Sequence, residues 1–263
     1  MLKNTFFYGF LLLFLVSCGE AATTAEAETE TMPPSEEAAP AAIMLTDMPA
    51  ATSFPDAAIT DMKYEGGKFM FTATGYEFGV QTPDADQLMC ANSDKGQHIH
   101  LIVDNGPYMA KYTPEFEQAI EDGEHHILAF LSRSYHLSIK NPAAGRAMKV
   151  TAQDGTFTAA EDITEPMLFY SRPKGTYRGK KATENVILDF YPVNAPADQY
   201  QVKAEINGQS FVLDGYQPRY IKGLPMGENT VTLTLLDQAG EVVDTPLNPV
   251  TRTFTLEELP TGE

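Results

Sequence analysis

The sequence predicts an all-β protein: two tandem antiparallel β-sandwiches behind an export leader and an acidic tether. Three observations carry this. Thr230, Thr232 and Thr234 alternate with Val231, Leu233 and Leu235, the period of two that marks a half-buried strand. Turn signals recur at short intervals, among them Asn105-Gly106, Asp154-Gly155, Asn207-Gly208 and Ala239-Gly240. In such hairpin turns the central residues take positive φ, which Asn, Asp and Gly tolerate. The body also repeats itself, with corresponding blocks 104 residues apart, as from His98 to Val202. Long helical periodicity is scarce; residues 114–120 have room for one short helical turn.

Taken in order, the chain opens on Lys3, an apolar run from Phe6 to Val16, and small residues before Cys18. That pattern reads as a secretory signal over residues 1–17. The run is about eleven residues, too short for a bilayer span of about 20. Leu15-Val16-Ser17-Cys18 resembles the lipobox of bacterial lipoproteins. The resemblance implies that Cys18 becomes the first mature residue and carries acyl chains, palmitate among them. Two or more chains hold a protein on a membrane stably. An ordinary cleaved signal or a membrane anchor are the alternatives.

Residues 18–57 are rich in Ala, Thr, Glu and Pro. They carry eight acids (Glu20, Glu26, Glu28, Glu30, Glu36, Glu37, Asp47, Asp56) and no Lys or Arg. Such a stretch buries too little apolar surface to offset its ordering entropy, so a disordered stalk is expected. Glu20, close behind Cys18, resembles the export signals of Bacteroidota surface lipoproteins. The expected location is therefore the cell envelope, on the outer membrane of a Gram-negative bacterium.

The body is read as a first sandwich over 58–171, a basic inter-domain segment over 172–181, a second sandwich over 182–258 and a tail over 259–263. In the first copy, His98–Gly106 precedes Tyr112-Thr113-Pro114, Gly123–Leu131, Asn141-Pro142 and Arg146. In the second, Val202–Gly208 precedes Tyr216-Gln217-Pro218, Gly227–Leu235, Asn248-Pro249 and Arg252. An earlier strand is expected in each copy, within 68–79 and 185–191. The Gly-Glu-x-x-hydrophobic blocks at Gly123 and Gly227 resemble late strands of immunoglobulin-like or fibronectin-type modules. The whole body resembles tandem Ig-like lipoproteins of Bacteroidota. The likeness is architectural and brings no catalytic residues with it.

The chain carries 36 acids against 18 basic residues, a formal net charge of −18. That balance disfavours nucleic acid and anionic lipid surfaces as partners. The expected membrane contact runs through the acyl chains on Cys18 instead. The chain has two cysteines. With Cys18 lipidated, Cys90 stands alone and no intrachain disulfide forms.

All five histidines fall in the first copy: His98, His100, His125, His126 and His136. One copy thus carries chemistry that the other lacks. His98 and His100, two apart on a strand, share a face. His136 follows the antiparallel neighbour of that strand, and Cys90 precedes it. Cys90, His98, His100 and His136 are therefore a candidate zinc or copper site, since imidazole and thiolate suit those ions. The competing reading is of structural histidines and a buried thiol. Arg172, Lys174, Tyr177, Arg178, Lys180 and Lys181 form a second candidate site, for an anion or an acidic glycan, with a solvated hairpin as its alternative. No Gly-x-Ser-x-Gly elbow and no glycine-rich phosphate loop occur, so no enzymatic activity is expected. The resulting expectation is an anchored protein that binds a ligand, an envelope protein or a glycan. A metal-binding lipoprotein and a purely structural envelope component are the alternatives.

Overall fold

The computed structural model describes residues 42–260. Within them the regular secondary structure is almost all strand. A short strand β1 (Met44–Asp47) comes first. The first module then supplies β2 (Ala58–Glu65), β3 (Lys68–Thr74), β4 (His98–Val103), β5 (Met109–Lys111), β6 (Glu115–Glu117), β7 (Gly123–Ser132), β8 (Gly145–Gln153) and β9 (Thr156–Asp162). The second supplies β10 (Met167–Arg172), β11 (Gly175–Arg178), β12 (Val186–Val193), β13 (Tyr200–Ile206), β14 (Gln209–Leu213), β15 (Arg219–Lys222), β16 (Gly227–Asp237) and β17 (Val250–Glu257). One helical turn, α1 (Lys180–Thr183), interrupts it.

Each module is a sandwich of two sheets. In the first, β2-β3-β6 faces β5-β4-β7-β8-β9. In the second, β1-β15-β12-β10 faces β14-β13-β16-β17-β11. The repeat is visible here: β4, β7 and β8 occupy one sheet in the order that β13, β16 and β17 occupy in the other. The first core joins Tyr64, Phe69 and Phe71 to Ile99, Leu101, Ile127, Ala129, Leu131 and Val150. The second joins Leu168, Tyr170, Val186, Leu188 and Ile221 to Val202, Ala204, Val231, Leu233 and Phe254.

Four expectations are corrected. Residues 44–47 are not stalk. Ile43-Met44-Leu45 is an apolar island in the acidic stretch, Ile43 is buried in the second core, and β1 pairs antiparallel with β15. Residues 167–171 do not belong to the first sandwich, because β10 pairs with β12 of the second. Residues 172–181 are not a linker, because β11 runs parallel to β17 and completes that sheet. Residues 114–120 form no helical turn: β6 pairs with β3 through Phe69↔Phe116, and Phe116 stacks on Phe69 and Phe71.

One turn is displaced by a residue. Asp104 and Asn105 take φ 49° and 52°, and Gly106 N donates to Val103 O at 2.7 Å, so the central pair is Asp104-Asn105. At 207–208 the expected Asn-Gly pair does hold the turn, with φ 46° and 82°.

The two modules meet face to face. On β4, Ile99 and Leu101 point into the first core, which sends His98, His100 and Ile102 to the outer face. Their cross-strand partners are Ser132, Phe130 and Leu128. Ile102, Tyr108, Leu128 and Phe130 pack against Ile163, Met167 and Phe169 of the second module. Burying each large apolar side chain is worth about 2 kcal/mol, which gives the seam a driving force of its own. All six residues of β10 are buried, Leu168 and Tyr170 in the second core and Met167 and Phe169 in the seam.

Polar groups key the seam. Asn105 Nδ2 donates to Leu168 O at 2.8 Å, and Asn105 Oδ1 accepts from Tyr170 N at 2.8 Å. Asp189, buried, accepts from Ser138 N, Ser138 Oγ and Lys140 Nζ at 3.1, 2.9 and 2.7 Å. Leu168, Tyr170 and Asp189 come from the second module, their partners from the first.

Candidate metal centre

His98 and His100 reach the seam on β4, and His136 arrives from the tight turn after β7. That turn is closed by His136 N donating to Arg133 O at 2.8 Å and Arg133 N donating to Leu137 O at 2.9 Å. His136 sits at φ 64°. His is one of the few side chains enriched in that left-handed region, and holding it there costs about 1–2 kcal/mol.

The three rings converge. His98 Nε2 lies 3.0 Å from His100 Nε2 and 2.9 Å from His136 Nδ1, and the last two nitrogens are 3.4 Å apart. A tetrahedral metal with bonds of about 2.0–2.1 Å to imidazole holds its nitrogens about 3.3 Å apart. The triangle therefore needs only a few tenths of an ångström of expansion to take an ion. Among the described residues these three form the one group of three or more His, Cys, Asp or Glu side chains brought this close as potential ligands.

The surroundings fix the rings. His98 Nδ1 faces Gly96 O at 2.8 Å. A carbonyl only accepts, so Nδ1 carries the proton and Nε2 of the neutral ring presents its lone pair to the other two histidines. Gly96 can hold its carbonyl there because its φ is +79°, and a Cβ would strike the Gly79–Val80 backbone. The Tyr76 hydroxyl donates to Ser132 O at 2.6 Å, with His98 O also within 3.0 Å, tying the end of β4 to that of β7. His98 also lies against Tyr112, with centroids 4.8 Å apart. Ser171 Oγ of β10 approaches His100 Nδ1 at 3.4 Å.

His98 and His100 are 0% exposed. Burial pushes His98 down to about 4, with Arg172 adding to the effect and the Gly96 carbonyl opposing it. His100 and His136 are pushed well below the ordinary histidine range, first by burial and then by the other rings, Arg172 and Lys174. At neutral pH the triad is uncharged, the state in which imidazole binds metal.

Cys90 does not join the triad. It is buried among Ala85, Leu88, Tyr135, Leu137, Ile187 and Tyr220, because the loop before β4 folds its apolar residues into that pocket. Burial raises its thiol, with Arg172 partly opposing. His125 and His126, at the far end of β7, pair with Asp104 and Glu165 at 2.6 and 3.6 Å.

The basic segment divides. Strand alternation sends Tyr177 inward and Arg178 outward. Arg178 pairs with Glu257 at 2.7 Å on the surface, and Lys180 and Lys181 are exposed on α1. Arg172, Lys174 and Tyr177 instead gather at the seam. Arg172 donates from Nε and Nη2 to Tyr177 Oη at 3.1 and 2.6 Å. Lys174 Nζ donates to Tyr108 O at 2.8 Å and lies 4.5 Å from the centre of that ring.

Tyr76, Gly96, Tyr108 and Ser171 were not singled out by sequence. The only signal was proximity, since Tyr108 follows the Asn105 turn and Ser171 borders the basic run. Two clefts of about 530 and 520 Å³ open elsewhere, around Arg133–Arg219 and around Tyr191–Tyr216, and the triad lines neither.

No protein-family model matches the chain, and no curated protein sequence does. Among solved structures it is similar to fibronectin(III)-like modules of CbhA from Clostridium thermocellum. That match has 12% identity and a TM-score of 0.27, covering 36% of this chain and 100% of that one. It is also similar to the central fibronectin-III array of RIM-binding protein, at 13% identity and TM-score 0.28, covering 81% and 73%. A third is the Bacteroides ovatus mixed-linkage glucan utilization protein SGBP-B in complex with a mixed-linkage heptasaccharide, at 11% identity and TM-score 0.21, covering 65% and 64%. The assignment as an all-β, multi-sheet sandwich protein rests on this chain's own strands. No helix among the described residues is long and apolar enough to cross a membrane. Residues 1–17, Cys18 and the stretch up to residue 41, where a signal, lipidation and a stalk are expected, lie outside the described residues, as does the end of the tail.

Proposed function

We propose that this protein is a non-catalytic, lipid-anchored envelope protein that binds one zinc or copper ion through His98, His100 and His136. The observation that carries the reading is the triangle of imidazole nitrogens 2.9–3.4 Å on a side. Three neutral nitrogens with a fourth position left over suit zinc and copper better than magnesium or calcium, which take oxygen. A metal-carrying or metal-stabilised binding module fits the triad's burial, since His98 and His100 are fully buried and neither of the two clefts is lined by the triad. The lipid anchor is carried over from the lipobox resemblance at Cys18.

The test is metal analysis of the intact mature protein after chelation and reloading with zinc or copper. One ion per chain is expected, falling to background in His98→Ala and His136→Asn. Reloaded wild-type protein that retains no ion, while circular dichroism shows the strands intact, would overturn the reading. Intact-mass measurement of membrane-extracted protein tests the anchor, with acylation at Cys18 expected.

A further inference from the structure

The triad brings no negative charge, and the face opposite it adds positive charge. Arg172, 3% exposed, is a guanidinium that stays protonated in any protein. Its Nη1 has no hydrogen-bond partner. Lys174, from the same segment, reaches over Tyr108, whose ring stacks on His100. Neither Arg172 nor Lys174 takes part in any ion pair among the described residues.

The nearby carboxylates hold other partners, though Asp84 Oδ1 has none. Asp189, opposite Arg172 in the β10–β12 register, is held by Ser138 and Lys140. Asp84, beyond Cys90, accepts from Thr52 N and Tyr135 Oη. A buried cation without a counter-charge is costly, and proteins pair such groups. Ser171, next to Arg172, touches His100, and the Arg172 charge acts on all three rings, so a divalent metal on the triad would add two positive charges near it. The sum is a cation site on one module and a cation pair on the other, and among the described residues no carboxylate pairs with Arg172 or Lys174.

We infer that the seam takes up a small oxyanion together with the metal: one oxygen fills the metal's fourth position, and another accepts from Arg172 Nη1, with Lys174 adding charge. This rests on the metal reading of the triad. An oxyanion answers three needs at once, since it supplies negative charge, an acceptor for the orphaned Nη1 and an oxygen ligand. Arg recognises oxyanions through such N–H donors. By linkage, whatever factor the anion adds to metal affinity, the metal adds to anion affinity.

The experiment uses the full mature chain, stripped of metal and titrated with zinc in chloride buffer, then with phosphate or acetate added. Zinc affinity is expected to rise tenfold or more with phosphate, with acetate, or with both, and the pattern identifies a tetrahedral anion or a carboxylate. Cobalt-loaded protein should show its visible bands shift on adding the same anion, which places the oxygen on the metal. Arg172→Gln should abolish the enhancement while keeping one zinc per chain. Lys174→Gln, at a half-buried position that a folding defect would spare, should weaken it. One zinc bound with an affinity indifferent to both anions overturns the inference and leaves the metal reading standing. No zinc bound in any buffer overturns the metal reading and this inference with it, even if phosphate alone is retained.

Discussion

The imidazole of His100 lies flat on the phenol ring of Tyr108, with centroids 3.7 Å apart and planes 6° from parallel. Tyr108 is itself held by Lys174 on its carbonyl and ring, so the second module sets the plane of a histidine on the first. Groups that orient a ligand histidine typically govern 10- to 100-fold in metal affinity. Tyr108→Ala is therefore expected to weaken zinc binding by about tenfold or more, whereas Tyr108→Phe, which keeps the stacked face, stays near wild type. Competition against a chromophoric chelator measures both.

His136 separates folding from binding. Its φ of 64° is comfortable for Asn, which visits the left-handed region readily. His136→Asn should leave thermal stability within about 1 kcal/mol of wild type and still lower zinc affinity at least a hundredfold. Melting curves without metal and zinc titration of the same sample test the two halves.

Asn105 is the key that one module's hairpin inserts into the other. Asn105→Ala removes the acceptor for Tyr170 N and the donor to Leu168 O, and places Ala at positive φ. The expected loss is about 2–4 kcal/mol in denaturant unfolding. Asn105→Gly, which relieves the backbone but not the hydrogen bonds, should recover about 1 kcal/mol of it.

Asp189 is the charged counterpart of that key. Removing it leaves the Ser138 amide without its acceptor and strips Lys140 of its counter-charge, although Nζ still donates to Ser138 Oγ and Phe190 O at 2.7 Å. Asp189→Ala is expected to cost about 3 kcal/mol, and Lys140→Met, made in the same background, should cost less than it does alone. A double-mutant cycle by urea unfolding reads the coupling.

His125 gives a pH signature outside the triad. Burial opposes its charge, but Asp104 and the Glu121 carbonyl outweigh that and raise it above the usual histidine value. A raised folded-state pKa contributes stability that is fully present below pH about 6.5 and is lost as pH rises through the folded value. Its NMR titration should fall above 6.5 in wild type and drop in Asp104→Asn.

The strands were legible because alternation is a local signal. The repeat gave the order β4-β7-β8 and β13-β16-β17, and with it the approach of His98, His100 and His136. What stayed hidden was set by distant contacts. Ile43-Met44-Leu45 carries an apolar signal too short to stand out, and only its pairing with β15 makes it a strand. β10 reads as the end of the first copy because it follows β9 closely in sequence, yet its partner β12 lies beyond the basic run. Cys90 was aligned with the histidines by sequence distance, but an apolar pocket of Leu88, Tyr135 and Tyr220 claims its loop. The role of Arg172 was masked by its neighbours: five charged residues read as one patch until alternation split them.

The pairing of β1 with β15 also constrains how the polypeptide can be made. During synthesis Met44–Asp47 must wait, unmated, while some 170 residues are added before Arg219–Lys222 emerges. The partner of the earliest described strand is thus among the later ones made, with β16 and β17 still to follow. A chain ending just before residue 219 would already carry β10 over the outer surface of β4 and β7, yet would leave Met44–Asp47 without its partner strand.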